Sequence, residues 1–212
     1  MLKNVIFDYM GVLADIDYKL LLKNLSMTEK FKALRIIVAM KKNEIFKKAF
    51  DDYQSGTVTK EDLHYLASQT YPRAASVVPK LISLITPCLK ENKEVLNLAR
   101  KLHNDGIKVV LLSNSIPETQ AKIETSDMFE YFDGFVLSHH IGMIKPSTDI
   151  YDFTCETYGL NPEDTIMIDD TKENLVGAKK ANLKALHCDK PQNVVKKLTE
   201  MFYGKNESQP NK

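Results

Sequence analysis

The architecture of this chain follows from one early segment, NVIFDYMGVL at residues 4–13. Its run of β-branched and aromatic side chains, residues 5–7, ends in a carboxylate and predicts a short buried strand. Asp8 would then lie just beyond the carboxyl end of that strand, in the crevice where open α/β sheets bind their ligands. A lone Asp after a strand more often serves as a turn residue, so a chemical role for Asp8 depends on the rest of the chain.

The composition is that of a globular protein without a strong overall charge. Of the 212 residues, 43% are hydrophobic, and 29 Lys and Arg nearly balance 28 Asp and Glu. Proteins that bind nucleic acid or acidic membranes through their overall field carry a large excess of positive charge, which is missing here. We therefore expect a small-molecule partner at a local site, and neither a nucleic-acid nor a membrane partner.

The cysteine pattern indicates a reduced compartment. Cys88, Cys155 and Cys188 are odd in number, widely separated and outside any CxxC pair, which argues against a disulfide framework or a zinc site. Asp8 interrupts the apolar N-terminal run, so a signal peptide is not indicated, and no stretch has the apolar length of a membrane span. We expect a cytoplasmic protein.

Residues 17–79 show helical periodicity and little strand signal. Apolar side chains recur at spacings of three and four over residues 31–38 and 45–50, with lysines on the opposite side. The lysine-rich residues 41–48 are typical of a solvated helix face. The segment TKED at residues 59–62 is typical of a helix N-terminus. These signals predict a small helical domain, residues 15–80, inserted after the first strand.

Beyond residue 80, strand and helix signals alternate. Strands are predicted at residues 107–114, 134–138, 164–170 and 184–188, and helices at residues 93–103, 118–125, 149–158, 173–181 and 193–202. Alternation of this kind indicates an α/β fold, a doubly wound parallel sheet with right-handed crossovers. Residues 1–14 and 81–204 would form this core, and the polar residues 205–212 a disordered tail.

Four polar groups follow the predicted parallel strands and should meet at one edge of the sheet. They are Asp8, the pair Ser113-Asn114, Lys145 and the pair Asp169-Asp170. A carboxylate such as Asp8 can act as a nucleophile, and the acidic residues together offer the hard oxygen ligands that Mg²⁺ prefers. The remaining three side chains, from Ser113, Asn114 and Lys145, could bind the oxygens of a transferred phosphoryl group.

Read in order, these segments resemble a known family. FDxxGVL at residues 7–13, LSN at 112–114, GxxKP at 142–146, and IDD at 168–170 followed by NxxGA at 174–178 are similar to the motifs of the haloacid dehalogenase-like (HAD) hydrolase superfamily. The match covers nearly the whole chain, in the branch with a helical cap between the first two motifs. The resemblance implies a Rossmann-like core and a mobile cap that sets specificity.

The resemblance also assigns roles to individual residues. Asp8 would be the nucleophile, and Ser113 and Lys145 would bind the transferred group. Asp170 would be a direct Mg²⁺ ligand, supported by Asp169, and the backbone carbonyl of Met10 would supply another ligand. The implied activity is that of a Mg²⁺-dependent phosphatase acting on a small phosphorylated metabolite, such as a sugar phosphate, through an aspartyl-phosphate intermediate.

Met10 departs from the family pattern. Family phosphatases usually have a second Asp at this position, which protonates the leaving group, and a thioether cannot do so. Loss of such help costs about 10²- to 10⁴-fold in rate. The chain resembles a branch acting on sugar 1-phosphates that lacks this Asp, and a good leaving group such as an acyl phosphate would also tolerate Met10. The sequence gives no geometric ground for assigning the role to Asp15 or Asp17.

Two other functions stay open from the sequence. One is a 2-haloacid dehalogenase, in which Asp8 displaces halide without a metal; Tyr151 fits it, whereas the pair Asp169-Asp170 argues against it. The other is a regulatory binding protein that kept the fold and lost the acid. The sequence predicts neither the substrate nor the oligomeric state.

Overall fold

A computed structural model describes residues 2–204, except for the side chain of Lys41. Strands β1 to β7 span Asn4–Phe7, Ala14–Ile16, Leu89–Glu91, Lys108–Ser113, Gly134–Leu137, Thr165–Asp169 and Lys184–His187. Helices α1 to α11 span Tyr18–Lys23, Met27–Lys42, Glu44–Gln54, Lys60–Thr70, Val78–Ile85, Lys93–Asn104, Pro117–Glu124, Ser138–Ile141, Thr148–Tyr158, Lys172–Lys180 and Pro191–Tyr203. The predicted tail, residues 205–212, lies outside the described residues.

Five of the strands form a parallel sheet in the order β5-β4-β1-β6-β7. Asn4 of β1 pairs with Lys108 of β4 on one side and with Thr165 of β6 on the other. The chain therefore builds outward from β1 to β5, then returns to the other side of β1. This reversal opens a crevice at the carboxyl end of β1, where Asp8 follows the strand.

The sheet is covered on both faces because the central strand is apolar on both. Val5 and Phe7 pack in one core with residues of α6 and α11, such as Leu102. Ile6 points to the opposite face and packs in a second core with residues of α9 and α10, such as Ile150. Burial on both faces explains why β1 lacks the alternation of a half-exposed strand. The predicted α/β fold with a doubly wound parallel sheet is confirmed.

The inserted segment is helical, as predicted, and has its own apolar core. Residues of α2 to α5, among them Ile36, Phe46, Leu63 and Ile82, share this third cluster. The predicted boundary after residue 80 falls inside α5, so the helical segment continues to residue 85. That this segment moves as a cap stays a prediction.

The two short strands beside the insertion were not predicted. Ala14 of β2 pairs with Glu91 of β3, and Ile16 pairs with Leu89, in a two-stranded antiparallel ribbon that connects the helical segment to the core. Strands of three residues are too short to show a period, and their pairing joins positions far apart in the chain. Among the described helices, none has both the length and the apolarity needed to cross a bilayer.

Candidate functional site

A cavity of about 570 Å³ lies between the carboxyl edge of the main sheet and the helical segment. Its walls come from both parts of the molecule. Residues from the core include Asp8, Met10, Asn114, Lys145 and Asp170, and residues from α3 are Lys47, Asp51 and Gln54. Most of the residues predicted from the strand ends therefore meet at one place, although they come from four separate parts of the chain.

Asp8 lines this cavity and is fixed in place by several hydrogen bonds. Its backbone N–H donates to the carbonyl of Ile168 in β6, 2.9 Å away, and only 6% of the residue is exposed. Oδ1 accepts a hydrogen bond from the N–H of Tyr9 at 2.7 Å and lies 2.9 Å from Nζ of Lys145. Both contacts fall on Oδ1, and no hydrogen bond within residues 2–204 falls on Oδ2, so that oxygen is available for chemistry.

Lys145 is a fully buried cation whose three donors are all used. Nζ donates to Oδ2 of Asp169 at 2.7 Å and to the carbonyl of Leu112 at 3.1 Å, in addition to its contact with Asp8. Burial disfavours the charged ammonium, but the carboxylates of Asp8 and Asp169 outweigh it and raise the pKa of Lys145. This lysine therefore links Asp8 to the acidic pair after β6.

Asn114 positions Lys145 through its backbone. The Asn114 Oδ1 accepts a hydrogen bond from the N–H of Lys145 at 2.8 Å, and Nδ2 donates to the carbonyl of the same residue at 2.9 Å. Asn114 also lines the cavity, so its predicted contact with substrate stays a prediction. Ser113, the last residue of β4, is buried and does not line the cavity, so its predicted contact with substrate stays a prediction.

The two acidic residues after β6 have different surroundings. Asp169 is fully buried and accepts from Lys145, from Nδ2 of Asn174 at 3.1 Å to each oxygen, and from the N–H of Thr171 at 2.8 Å. Its oxygens are therefore well satisfied by the protein. Asp170 faces the cavity with a freer carboxylate, which suits it to bind a ligand directly.

Gly11 is required by its conformation and by the approach of Asp170. Its φ is +80°, and a Cβ built there would lie 2.6 Å from Oδ2 of Asp170. A side chain at this position would be strained and would displace the Asp170 carboxylate. The glycine of the FDxxG motif thus lets the loop after β1 pass close to the loop after β6.

The electrostatics of the cluster fit a divalent cation. Oxygens of Asp8, Asp169 and Asp170 lie within 4.8 Å of one another. Burial raises the pKa of Asp8 to about 7, although Lys145 opposes the shift, and burial together with the charge of Asp169 raises the pKa of Asp170. Three carboxylates face one ammonium, so the ionised cluster carries two excess negative charges, and its hard oxygens suit Mg²⁺.

Met10 and the nearby acids occupy distinct places. Met10 lines the cavity, so no carboxylate stands at this position. Asp17 is engaged as the N-cap of α1, where its Oδ1 accepts from the N–H of Leu20 at 3.0 Å. Asp15, in contrast, lines the cavity. Of these two acids, only Asp15 therefore lies at the cavity, a difference that the sequence could not show.

Sequence reasoning missed the contribution of α3. Lys47, Asp51 and Gln54 stand four and three positions apart, so they share one helix face, and this face looks into the cavity. Gln54 also donates from Nε2 to the carbonyl of Asn114 at 3.1 Å. The sequence analysis interpreted the lysine-rich residues 41–48 as a solvated helix face. The spacing of Lys47, Asp51 and Gln54 was the signal that could have indicated a polar face directed at a ligand.

Sequence comparisons match this chain to known proteins. A family model described as haloacid dehalogenase-like hydrolase matches residues 2–182. A sesquiterpene phosphatase of Aspergillus oryzae is 23% identical over 139 residues, which cover 65% of this chain and 71% of that protein. A D-ribitol-5-phosphate phosphatase of Bacteroides thetaiotaomicron is 24% identical over 182 residues, which cover 82% of this chain and 86% of that protein.

Solved structures share the fold. A HAD family enzyme from Bacteroides thetaiotaomicron, crystallised with magnesium and inorganic phosphate, superposes with a TM-score of 0.63 and 20% identity, covering 88% of this chain and 94% of that chain. A structure described as a dehalogenase superposes with a TM-score of 0.71 and 20% identity, covering 97% and 98%. At such identities the structural likeness concerns the fold alone.

Proposed function

Given that the chain belongs to the haloacid dehalogenase-like hydrolase family and is a hydrolase, we propose that it is a Mg²⁺-dependent phosphatase of a small phosphomonoester. One observation carries the proposal. Asp8 lies in a closed cluster with a buried lysine and two further carboxylates, at the bottom of a cavity large enough for a small molecule. The phosphatase names of the two relatives support a phosphate ester as the substrate class.

Asp8 would act as the nucleophile in two steps. An oxygen of its carboxylate forms a bond to phosphorus while the bond from phosphorus to the ester oxygen breaks, which yields an aspartyl-phosphate and an alcohol once that oxygen gains a proton. Water then attacks the phosphorus, and the bond to Asp8 breaks. The products are inorganic phosphate, the alcohol and the free carboxylate, with one water consumed.

The residues around Asp8 each have a defined part. Lys145 holds Oδ1 of Asp8 by an ion pair, which favours the ionised carboxylate that the nucleophilic attack requires, against the burial that raises the pKa of Asp8. Asp8, Asp170 and the backbone carbonyl of Met10 would hold Mg²⁺, with Asp169 in support. The bound ion would offset the negative charge of the phosphoryl group and the carboxylates. Ser113 would contact the phosphoryl group when the substrate is bound.

The leaving group needs a proton that Met10 cannot give. Of the acids on the cavity wall, Asp51 is the best candidate, because burial raises its pKa and so keeps the carboxyl protonated to higher pH. Asp52, the next residue, instead accepts from Nζ of Lys48 at 2.7 and 2.9 Å and does not line the cavity. It therefore offers a matched control for substitution of Asp51.

The proposal is tested by phosphate release from a panel of aryl, alkyl and sugar monophosphates. We expect release with Mg²⁺, its loss with EDTA, and a fall to background in Asp8→Asn. Asp127→Asn makes the same chemical change at a surface ion pair with Arg100 and should keep full activity. Turnover of 2-chloropropionate that survives EDTA would identify a dehalogenase instead. Phosphate binding without turnover of any substrate would favour a regulatory binding protein, the alternative that Met10 supports.

The cellular setting belongs to the same proposal. All three cysteines, Cys88, Cys155 and Cys188, are buried as free thiols, which suits a reduced compartment such as the cytoplasm. We propose that the protein works there on a small phosphorylated metabolite, without a nucleic-acid partner.

A further inference from the structure

A second cavity lies inside the helical segment, next to the catalytic one. Its volume is about 500 Å³, it is partly open to solvent, and it is lined by thirteen residues from β2 and from α1 to α5. They include Leu21, Ile37, Phe50 and Ile85. The hydroxyl of Tyr18 is the one polar side-chain group among the lining residues, so the cavity offers almost no hydrogen-bonding partner to a ligand.

The two cavities meet at a shared wall. Ile16, at the end of β2, and Tyr18, the first residue of α1, line both of them. Helix α1 has no buried residue, although it carries three consecutive leucines, residues 20–22. The wall between the cavities thus consists of the end of β2 and a helix, α1, without buried residues. A ligand could extend from the first cavity past this wall along the apolar surface of the second.

The first cavity is lined by charged residues and the second by apolar ones, and this difference indicates what kind of ligand could occupy both. Asp8, Lys145 and Asp170 line the first cavity, where the phosphate group of the substrate would bind under the proposed function. The neighbouring cavity would strip water from sugar hydroxyls without replacing their hydrogen bonds, which is costly. An aliphatic chain, in contrast, gains free energy for every methylene group that it buries there.

We propose that the substrate is the monophosphate ester of an aliphatic alcohol, with its phosphate at Asp8 and its chain in the apolar cavity. This inference rests on the proposed phosphatase function and adds the class of alcohol. Linear alkyl chains and branched isoprenoid chains share this chemistry. The length of chain that the cavity accepts would decide specificity. The polar residues of α3, Lys47, Asp51 and Gln54, line the first cavity and not the apolar one, so they would face the phosphate end of the substrate.

The test is a homologous series of methyl, butyl, octyl and dodecyl monophosphates, with sorbitol 6-phosphate as the polar comparator. The leaving groups are chemically alike, so kcat should change little while KM falls. Each buried methylene group lowers KM by up to about fourfold, and we expect at least a tenfold drop from butyl to octyl phosphate. Farnesyl and dodecyl monophosphates compare a branched with a linear chain, and preference for either over butyl phosphate supports the proposal.

Two adjacent residues of α2 supply a matched pair of variants. Ile37 and Val38 are each 42% exposed, but Ile37 lines the apolar cavity and Val38 does not. Ile37→Glu places a carboxylate at the wall and should raise KM for octyl phosphate at least tenfold. Val38→Glu adds the same charge to the outer surface and should leave that KM within twofold of the original.

The outcomes separate this inference from the proposed function. Hydrolysis of methyl and sorbitol phosphates with a KM that does not fall along the alkyl series would overturn the inference and leave the phosphatase function intact. No hydrolysis of any monophosphate in Mg²⁺ would overturn both. Calorimetry of butyl and octyl phosphate with Asp8→Asn protein gives an independent readout, since a buried chain makes the heat-capacity change of binding more negative. Equal values for the two ligands would contradict a buried chain.

Discussion

Lys145→Met should destabilise the protein strongly, by an amount that the structure allows us to estimate. The substitution removes a fully buried ammonium that lies 2.9 Å from Asp8 and 2.7 Å from Asp169. Removal of one partner from a buried ion pair costs about 3–5 kcal/mol, because the remaining charge loses its compensation. For a domain of this size each kcal/mol corresponds to about 2–4 °C, so the melting temperature should fall by about 10 °C.

The size of this loss should depend on pH and on Mg²⁺. At pH 5 the Asp8 carboxyl is largely protonated, since burial raises its pKa to about 7 even with the lysine present, so less charge is left uncompensated than at pH 8. Mg²⁺ should likewise reduce the loss of stability in Lys145→Met, because it replaces part of the lost positive charge. The measurement is urea unfolding of both proteins at pH 5 and pH 8, in EDTA and in Mg²⁺.

Lys47→Met is the matched control, since Lys47 lines the same cavity on an exposed helix face. It should change the free energy of unfolding by no more than about 0.5 kcal/mol. A loss below about 1 kcal/mol for Lys145→Met, or a loss that is equal at pH 5 and pH 8, would refute the reasoning that Lys145 compensates a buried acidic cluster.

Three other predictions follow from the same site. Folding raises the pKa of Asp8 from 3.8 to about 7, so the folded state binds more protons than the unfolded state between these pH values. The EDTA-treated protein should therefore lose stability as the pH rises from 4 to 7. A rise in melting temperature over that range would contradict this prediction. Gly11→Ala and Gly106→Ala both place alanine at a positive φ, which costs about 1–2 kcal/mol of stability. Only the Cβ at residue 11 would crowd Asp170. Gly11→Ala should therefore weaken Mg²⁺ binding in a titration, and Gly106→Ala should not. Asp51→Asn should lower kcat for alkyl phosphates by about 10²-fold and for p-nitrophenyl phosphate far less, since a good leaving group needs no acid; equal losses would exclude a proton-donor role.

Local pattern was enough to predict the core and the location of its site. The apolar runs that end in Asp8, Ser113 and Asp169 are strands in the structure, and parallel strands bring their carboxyl ends to one edge. The convergence of Asp8 with the acidic pair therefore needed only strand identity and parallel pairing, whereas Lys145 follows helix α8 and reaches the site through its loop. Asn114 shows where such reasoning stops, because its role depends on a hydrogen bond to a residue 31 positions away.

The sequence alone determined the doubly wound sheet, the helical insertion and the acidic edge of the sheet, because each follows from periodicity or from residues at strand ends. Three features depended on the tertiary structure alone: the pairing of β2 with β3, the orientation of α3 that brings Asp51 to the cavity containing Asp8, and the apolar cavity beside it. A helical period shows which residues share a face, but only long-range packing decides what that face meets.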